Sequence, residues 1–288
     1  MDSIYKIDRN PCDVIGAGAY NAQAAELARR WQDTINNATF KGANPEFWDS
    51  WAKTLPVKTG SSGYVQEVMA RMNLNKEDSV LDIGAGTGAL AIPLAQKVTS
   101  VTVLDQSQNM LALIMEKAAG SQLANIKTVN ANWEEVRVGK DVAMHDVVLV
   151  SRSLPSQGDI ISTLERIDQA ARRSCYITWK ADSYDVLEAE ICAALGIEYR
   201  HFPDYFLLYN ILYNMGIRAN VEIFTMTSER VYHDINDAFV QIIRSHQFKT
   251  SVQEELARKL LEEKLEFYDG FYRQKKSNLW ALIHWHKA

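Results

Sequence analysis

The sequence predicts an α/β fold: a doubly wound, mostly parallel seven-stranded sheet with helices on both faces, a helical N-terminal cap and helical inserts near the C-terminus. Three observations predict it. From Ser79 onward, short apolar runs alternate with helix-like runs, the rhythm of right-handed strand–helix–strand crossovers in a parallel sheet. Val147-Val148-Leu149-Val150 is apolar without alternation, as a central strand covered on both faces requires. Gly84-Ala85-Gly86-Thr87-Gly88 joins the first of these strands to the first of these helices, where bare backbone and a helix N-terminus can meet a ligand.

Residues 1 to about 58 read as helical and aromatic. Ala22 to Trp31 is rich in helix formers. A second, short helix opens with Asn44 as cap and Pro45 in its first turn, and carries Phe47, Trp48 and Trp51. Thr59-Gly60-Ser61-Ser62-Gly63 is a linker, and Tyr64 to Met72 an amphipathic helix leading into the first strand. Strands are expected over 79–83, 100–104, 125–130, 146–151 and 174–179, with helices over 88–97, 108–118 and 158–171 between them. After Trp179 the rhythm changes. Helices are expected over Tyr184 to Leu195, ended by Gly196, and Phe206 to Met215, ended by Gly216. A strand over Asn220 to Met226, helices over Asp234 to His246 and Val252 to Phe271, and a strand over Leu279 to His286 complete the chain.

Composition narrows the classes. The 288 residues are 47% hydrophobic and 23% charged, enough to bury a core without staples. A net charge of -5 and a pI near 5.7 disfavour nucleic acid as the main partner. The basic cluster Arg258, Lys259, Lys264, Arg273, Lys275 and Lys276 interleaves with Glu254, Glu255, Glu262, Glu263 and Glu266, as on a solvated helix face. Cys12, Cys175 and Cys192 are far apart and odd in number, which predicts no disulfide framework and suits the cytoplasm. The first residues do not read as a signal peptide. The longest apolar run, Tyr205 to Ile217, is too short to span a bilayer and contains Asn210 and Asn214, so no membrane association is expected.

Gly84-x-Gly86-x-x-Ala89, with Asp105 twenty-one residues after Gly84, fits a dinucleotide-binding turn. A similar run, Val14-Ile15-Gly16-Ala17-Gly18, lacks a preceding strand and is set aside. Asp82 changes the reading. Its carboxylate sits close to where a pyrophosphate would lie, and two negative groups in a partly buried turn cost on the order of several kcal/mol. A ligand carrying an ammonium and a sulfonium reverses the sign. S-adenosylmethionine carries both, and a ribose whose hydroxyls Asp105 can hold. The plain alternative for Asp82 is an acid that caps the turn.

Val80 to Ala95 closely resembles the first motif of the class I S-adenosylmethionine-dependent methyltransferases. Leu104-Asp105-Gln106-Ser107-x-x-Met110-Leu111 resembles the second, Val129-Asn130-Ala131-Asn132-Trp133-Glu134-Glu135-Val136 the third, and His145-Asp146-Val147-Val148-Leu149-Val150-Ser151 the fourth. The four follow in order over roughly residues 64–180. The resemblance implies a Rossmann-like enzyme of the small-molecule type. It implies that Gly84, Ala85, Gly86 and Gly88 let backbone approach the cofactor and that Asp82 orients its amino end. Asp105 takes the ribose hydroxyls, and Gln106 and Met110 flank the adenine, with core packing the alternative for Met110. Asn132 accepts from the adenine amino group, Trp133 offers its backbone N–H, and Ser151 lines the methyl-transfer face. The expected organisation is a cap or lid over 1–58 and a methyltransferase domain over 59–288. Its cofactor half covers 64–180, and acceptor-side inserts lie at about 181–205 and 228–275.

Methyl transfer from a sulfonium is an in-line displacement in which the protein mainly positions the nucleophile and excludes water. Ser151-Arg152-Ser153-Leu154-Pro155 has neither the Asn/Asp-Pro-Pro-aromatic signature of amino-directed nucleic-acid methyltransferases nor the acids of the magnesium-dependent catechol type, so no metal is expected. A general base is optional: His145, His201, His233, Tyr20 and Tyr205 are the titratable candidates. The catalytic residue stays unassigned, with Ser151 and His201 as weak candidates. His145 opens a strand and reads as a surface residue. Trp48, Trp51, Tyr64, Arg152 and Tyr205 are expected on the acceptor or lid side. Trp48 and Trp51 share a helix face, as lid or as docking surface. Arg152 is expected to pair with a nearby acid, or else to hold an acidic acceptor group. The expected partner is a small-molecule acceptor, and the expected assembly a monomer or homodimer. RNA or protein acceptors, and a cofactor-binding protein without turnover, are the alternatives.

Overall fold

The structure, a computed structural model, describes residues 17–37, 45–52, 63–154, 159–182, 184–243, 246 and 248–287. Cys12, the Val14-Ile15-Gly16 run and most of the 59–63 linker lie outside the described residues.

The strands are β1 (Ser79–Ile83), β2 (Ser100–Asp105), β3 (Ile126–Asn130), β4 (His145–Ser151), β5 (Ala171–Lys180), β6 (Asn220–Tyr232), β7 (Glu266–Tyr268) and β8 (Phe271–His286). They form one mixed sheet in the order β3-β2-β1-β4-β5-β8-β6, with β7 paired to β8 off that path. The pairs from β3 to β5 are parallel, and β8 runs antiparallel between β5 and β6. The order reverses beside β1, so the carboxyl ends of β1 and β4 face a crevice, where doubly wound sheets bind ligands.

The helices are α1 (Ala17–Asn37), α2 (Pro45–Ala52), α3 (Gly63–Arg71), α4 (Ala91–Ala95), α5 (Gln108–Gly120), α6 (Ile160–Ala170), α7 (Val186–Leu195), α8 (Tyr205–Asn214), α9 (Ile235–Ile242) and α10 (Ser251–Lys264). On one face of the sheet α1, α6 and α8 bury Trp31, Leu164, Ile167, Leu208 and Ile211 against Val148, Val150 and Ile177. On the other, α3, α4 and α5 bury Val68, Leu94 and Ile114 against Val80, Val103 and Leu149. Each fully buried aliphatic side chain contributes roughly 1.5–3 kcal/mol. A third cluster, with Ile191, Phe239, Leu261 and Tyr232, joins α7, α9 and α10. Among the described residues no helix is long and apolar enough to cross a membrane.

Several expected elements differ. The helix expected over 88–97 is only α4, because Gly86 and Gly88 hold φ of +53° and +75°, outside the helical region. The helix expected to run to Phe271 stops at Lys264, and the chain turns back through Asp269 and Gly270. Their φ values of +53° and +80° make this a two-residue hairpin turn of the Asp-Gly kind. That hairpin adds β7 as an eighth strand and starts β8 at Phe271 rather than Leu279. β6 correspondingly runs six residues past Met226, to Tyr232. This extension carries polar side chains on its exposed faces and so lacked an apolar strand signal.

Candidate functional site

β1 ends at Ile83, and the chain turns at Gly84. The Gly84 and Ala85 N–H groups both donate to the Leu104 carbonyl, at 2.7 and 3.3 Å, which ties the loop to the end of β2. At Gly84 φ is +67°, and a Cβ there would lie 2.4 Å from the Ser153 Cβ, so only glycine fits. At Gly86 a Cβ would meet no atom within 4 Å: this glycine faces open space.

Asp105 ends β2 and organises that space. Its Oδ2 accepts from the Gly86 N–H at 2.8 Å and its Oδ1 from the Ser107 N–H at 2.9 Å. Those two donors stabilise the charged carboxylate, while burial pulls the pKa the other way and wins, leaving it raised. Ser107 caps α5 by accepting from the Met110 N–H at 3.1 Å, and its hydroxyl donates to Asp49 Oδ1 at 2.5 Å. Asn109 donates to Asp49 twice more, through its backbone N–H and its side chain, both at 3.2 Å. α2 is thereby fastened to the start of α5, next to Asp105. Trp48 is half-buried on α2, and the Trp51 side chain lies outside the described residues.

Asp82, in the middle of the sheet, is only 2% exposed. Burial, and then the Asp105 charge, push its pKa up to about 7. Among the described residues no hydrogen bond offsets that burial. The carboxyl therefore does not cap the glycine turn.

The third side of the crevice follows β3. Asn130 donates to the carbonyls of Asp105 and Gln106, both at 3.0 Å. Asn132 Oδ1 accepts from the Glu134 N–H at 3.2 Å and caps a single 3-10 turn over Trp133–Glu135. Trp133 is buried in the core beneath, Met110 is buried at the start of α5, and Gln106 is half-buried.

Across the crevice, Ser151 and Thr178 are register partners at the ends of β4 and β5. Tyr64, on the first turn of α3, reaches both: its hydroxyl lies 2.8 Å from Ser151 Oγ and 2.6 Å from Thr178 Oγ1. Thr178 Oγ1 also donates to Ser151 Oγ at 3.1 Å, closing a triangle of hydroxyls. Burial raises the Tyr64 phenol above its ordinary pKa, so the triangle is neutral. Arg152 follows with φ of +57°, a left-handed conformation costing a non-glycine residue roughly 1–2 kcal/mol. Its guanidinium stacks 4.4 Å from the Tyr64 ring centre and 5.6 Å from that of Trp280. The expected ion pair between Arg152 and an acid is not formed among the described residues, because the left-handed turn lays the side chain over aromatic faces.

His201 is exposed, with Nδ1 2.8 Å from the Phe202 carbonyl and its ring 5.9 Å from that of Tyr199. Tyr205 opens α8 and packs half-buried on the core face holding Trp31. His145 was expected at the surface but is 6% exposed, because its ring bridges Thr102 Oγ1 and the Ala143 carbonyl, each at 2.8 Å. It opens β4, at the opposite end from Ser151. His233 is exposed, 5.6 Å from the Phe271 ring. The Tyr20 side chain lies outside the described residues. Sequence reasoning missed Asp49, Ser153, Thr178 and Trp280. Only Thr178 left a signal, as a polar residue closing an otherwise apolar strand.

Known proteins share parts of this sequence and its fold. A family model for a methyltransferase domain matches residues 80–173. An uncharacterized protein of Haemophilus influenzae is 30% identical over 233 residues, 78% of this chain and 82% of that one. A 23S rRNA uracil-C(5)-methyltransferase of Aliivibrio fischeri is 35% identical over 71 residues, only 25% of this chain and 16% of that one. In fold, the chain is similar to a candidate methyltransferase of Bacillus halodurans, with a TM-score of 0.55 at 12% identity, over 78% of this chain and 99% of that one. The chain carries a methyltransferase domain and has the fold of the class I methyltransferases.

Proposed function

We propose that the enzyme methylates a small-molecule acceptor by in-line displacement without a metal. The observation that carries the reading is the buried, uncompensated Asp82 carboxyl beside Asp105, next to the open space at Gly86. Such a crevice repels a pyrophosphate and attracts a cation. When bound, the cofactor supplies a methyl group made electrophilic by its sulfonium.

In this reading Asp82 orients the amino end of the cofactor. Asp105 takes the ribose hydroxyls, since each of its oxygens keeps a lone pair beyond the backbone N–H it already accepts. Gly84, Ala85, Gly86 and Gly88 present backbone to the ligand. Gln106 and Met110 flank the adenine, Asn132 accepts from its amino group with its second lone pair, and the Trp133 N–H faces the ring. Ser151, with Tyr64 and Thr178, positions the acceptor, and α2 covers the cofactor side of a domain spanning 59–288. No general base is assigned. The acidic net charge of -5 supports a small acceptor rather than a nucleic acid. The buried, unpaired Cys175 and Cys192 suit a cytoplasmic enzyme.

Calorimetry with S-adenosylmethionine and S-adenosylhomocysteine tests the cofactor half, and sub-millimolar binding of both is expected. Labelled-methyl transfer into a whole-cell extract, separated afterwards into metabolite, RNA and protein fractions, tests the acceptor half, and label in the metabolite fraction is expected. Incorporation confined to the RNA or protein fraction would overturn it.

A further inference from the structure

β4 ends at Ser151, and the run Ser151-Arg152-Ser153 joins the two sides of the crevice. Ser151 belongs to the hydroxyl triangle. Ser153 belongs to the glycine turn: its hydroxyl donates to the Ile83 carbonyl at 2.5 Å, and its Cβ blocks any side chain at Gly84. Arg152 stands between them, one residue from each.

Its backbone is held where an arginine rarely goes. The φ of Arg152 is +57°, and its N–H donates to the Thr178 carbonyl at 3.2 Å, which fixes the turn against β5. Gln122 and Asp269 share a positive φ, but the first follows the end of α5 and the second forms a hairpin turn. Arg152 does neither. Strain of this kind gathers at ligand sites, where it aims a side chain.

The turn aims this one over the rings of Tyr64 and Trp280, at 4.4 and 5.6 Å from their centres. A ring face attracts the charge but accepts only weak bonds, so the N–H donors of the guanidinium stay available. Among the described residues no carboxylate pairs with Arg152, and no acceptor takes a hydrogen bond from its side chain. Arg71, Arg137, Arg173 and Arg273, by contrast, each meet a carboxylate. Arg152 is exposed. It is an oriented fork of donors pinned on the same Tyr64 whose hydroxyl bonds Ser151 and Thr178.

We infer that the acceptor carries an acidic group, a carboxylate or a phosphate monoester, which Arg152 binds through this fork. The inference rests on the methyltransferase reading and specifies its acceptor. The two sides of the crevice are then opposite in charge: Asp82 and Asp105 serve the cofactor cation, and Arg152 the acceptor anion. The acidic group is an anchor and keeps its charge. The atom to be methylated is a different one, presented at Ser151 and Thr178. Arg152 determines specificity and takes no part in bond making.

The test uses the full chain with labelled S-adenosylmethionine and the metabolite fraction of a whole-cell extract. The labelled product is passed over an anion-exchange resin at mildly alkaline pH, and retention of the label is expected. Alkaline phosphatase then distinguishes the acids: label on a phosphate monoester runs through after treatment, and label on a carboxylate stays. Arg152→Gln is expected to cut incorporation about tenfold in dilute extract, the worth of one charge-assisted contact. Incorporation should recover in concentrated extract, since binding rather than the chemical step is weakened. Arg152→Gly, which holds a positive φ without strain, is expected to behave alike, so a folding defect in the first variant leaves a second to read. Affinity for S-adenosylhomocysteine is expected to be unchanged in both. Label that runs through the resin untreated, or wild-type incorporation by both variants in dilute extract, overturns the inference while leaving the methyltransferase reading intact. No label in any metabolite removes the small-molecule reading first, and this one with it.

Discussion

The Asp105 carboxylate adds to burial in holding Asp82 protonated up to about pH 7. A cationic ligand favours the ionised form of Asp82, so binding at lower pH must expel its proton. Cofactor affinity is therefore expected to fall as pH drops below about 7, by up to about tenfold per unit. Calorimetry in buffers of different ionisation enthalpy should register proton release. Asp82→Asn should bind more weakly and lose the pH dependence. A pH-independent wild-type affinity would falsify this assignment.

The same carboxyl affects stability with a definite sign. Its folded pKa of about 7 lies above its ordinary 3.8, so the fold prefers it neutral. The cost of ionising it is absent below the ordinary value, grows through the interval, and is complete above about 7. Asp82→Asn should stabilise the ligand-free protein at alkaline pH, by on the order of a few kcal/mol, and leave it unchanged near pH 4. Urea melts at both pH values check this.

The glycines of the loop should separate folding from binding. Gly84→Ala places a Cβ 2.4 Å from the Ser153 Cβ in a left-handed turn, and about 2–4 kcal/mol of stability should be lost. Gly86→Ala meets no atom, so about 1 kcal/mol of backbone strain is expected. Its larger effect should be on cofactor affinity, because the methyl group enters the space kept for the ligand. Equal effects of the two variants on both readouts would count against a ligand at Gly86.

Asp49 ties α2 to α5 through Ser107 and Asn109. Asp49→Ala should cost about 1–2 kcal/mol, as loss of a cap does. Hydrogen exchange should accelerate in α2 while β1 and β4 stay protected. If α2 is a lid, cofactor dissociation should also quicken. Faster exchange with unchanged dissociation would make α2 a docked helix only.

Tyr64→Phe removes the hydroxyl shared by Ser151 and Thr178, which keep each other as partners at 3.1 Å. Stability should fall by about 1 kcal/mol. Turnover should fall more than cofactor affinity, since the triangle faces the acceptor side. An unchanged kcat would remove Tyr64 from the site.

Much of this was legible in the chain itself. The apolar runs and glycine breaks carry the order of strands and helices over 79–180, because burial on both faces leaves a local pattern. Asp82, Gly84, Gly86 and Asp105 were readable as a site because their spacing places them at one strand end and the next. Legibility fails where the signal is polar or short. The outer halves of β6 and β8 have exposed faces, and the Asp269-Gly270 turn is hidden in a helix-like surrounding sequence.

The end of the crevice proposed for the cofactor was legible in sequence alone, because one contiguous loop and the next strand supply its charges. The other end was decided only by tertiary structure. Tyr64 is 87 residues from Ser151 and 114 from Thr178, and nothing local joins them. Arg152 looked like half of a salt bridge until its left-handed backbone laid it over Tyr64 and Trp280. The charge balance of a site depends on which groups are buried together, and that is a property of packing between strands distant in the chain.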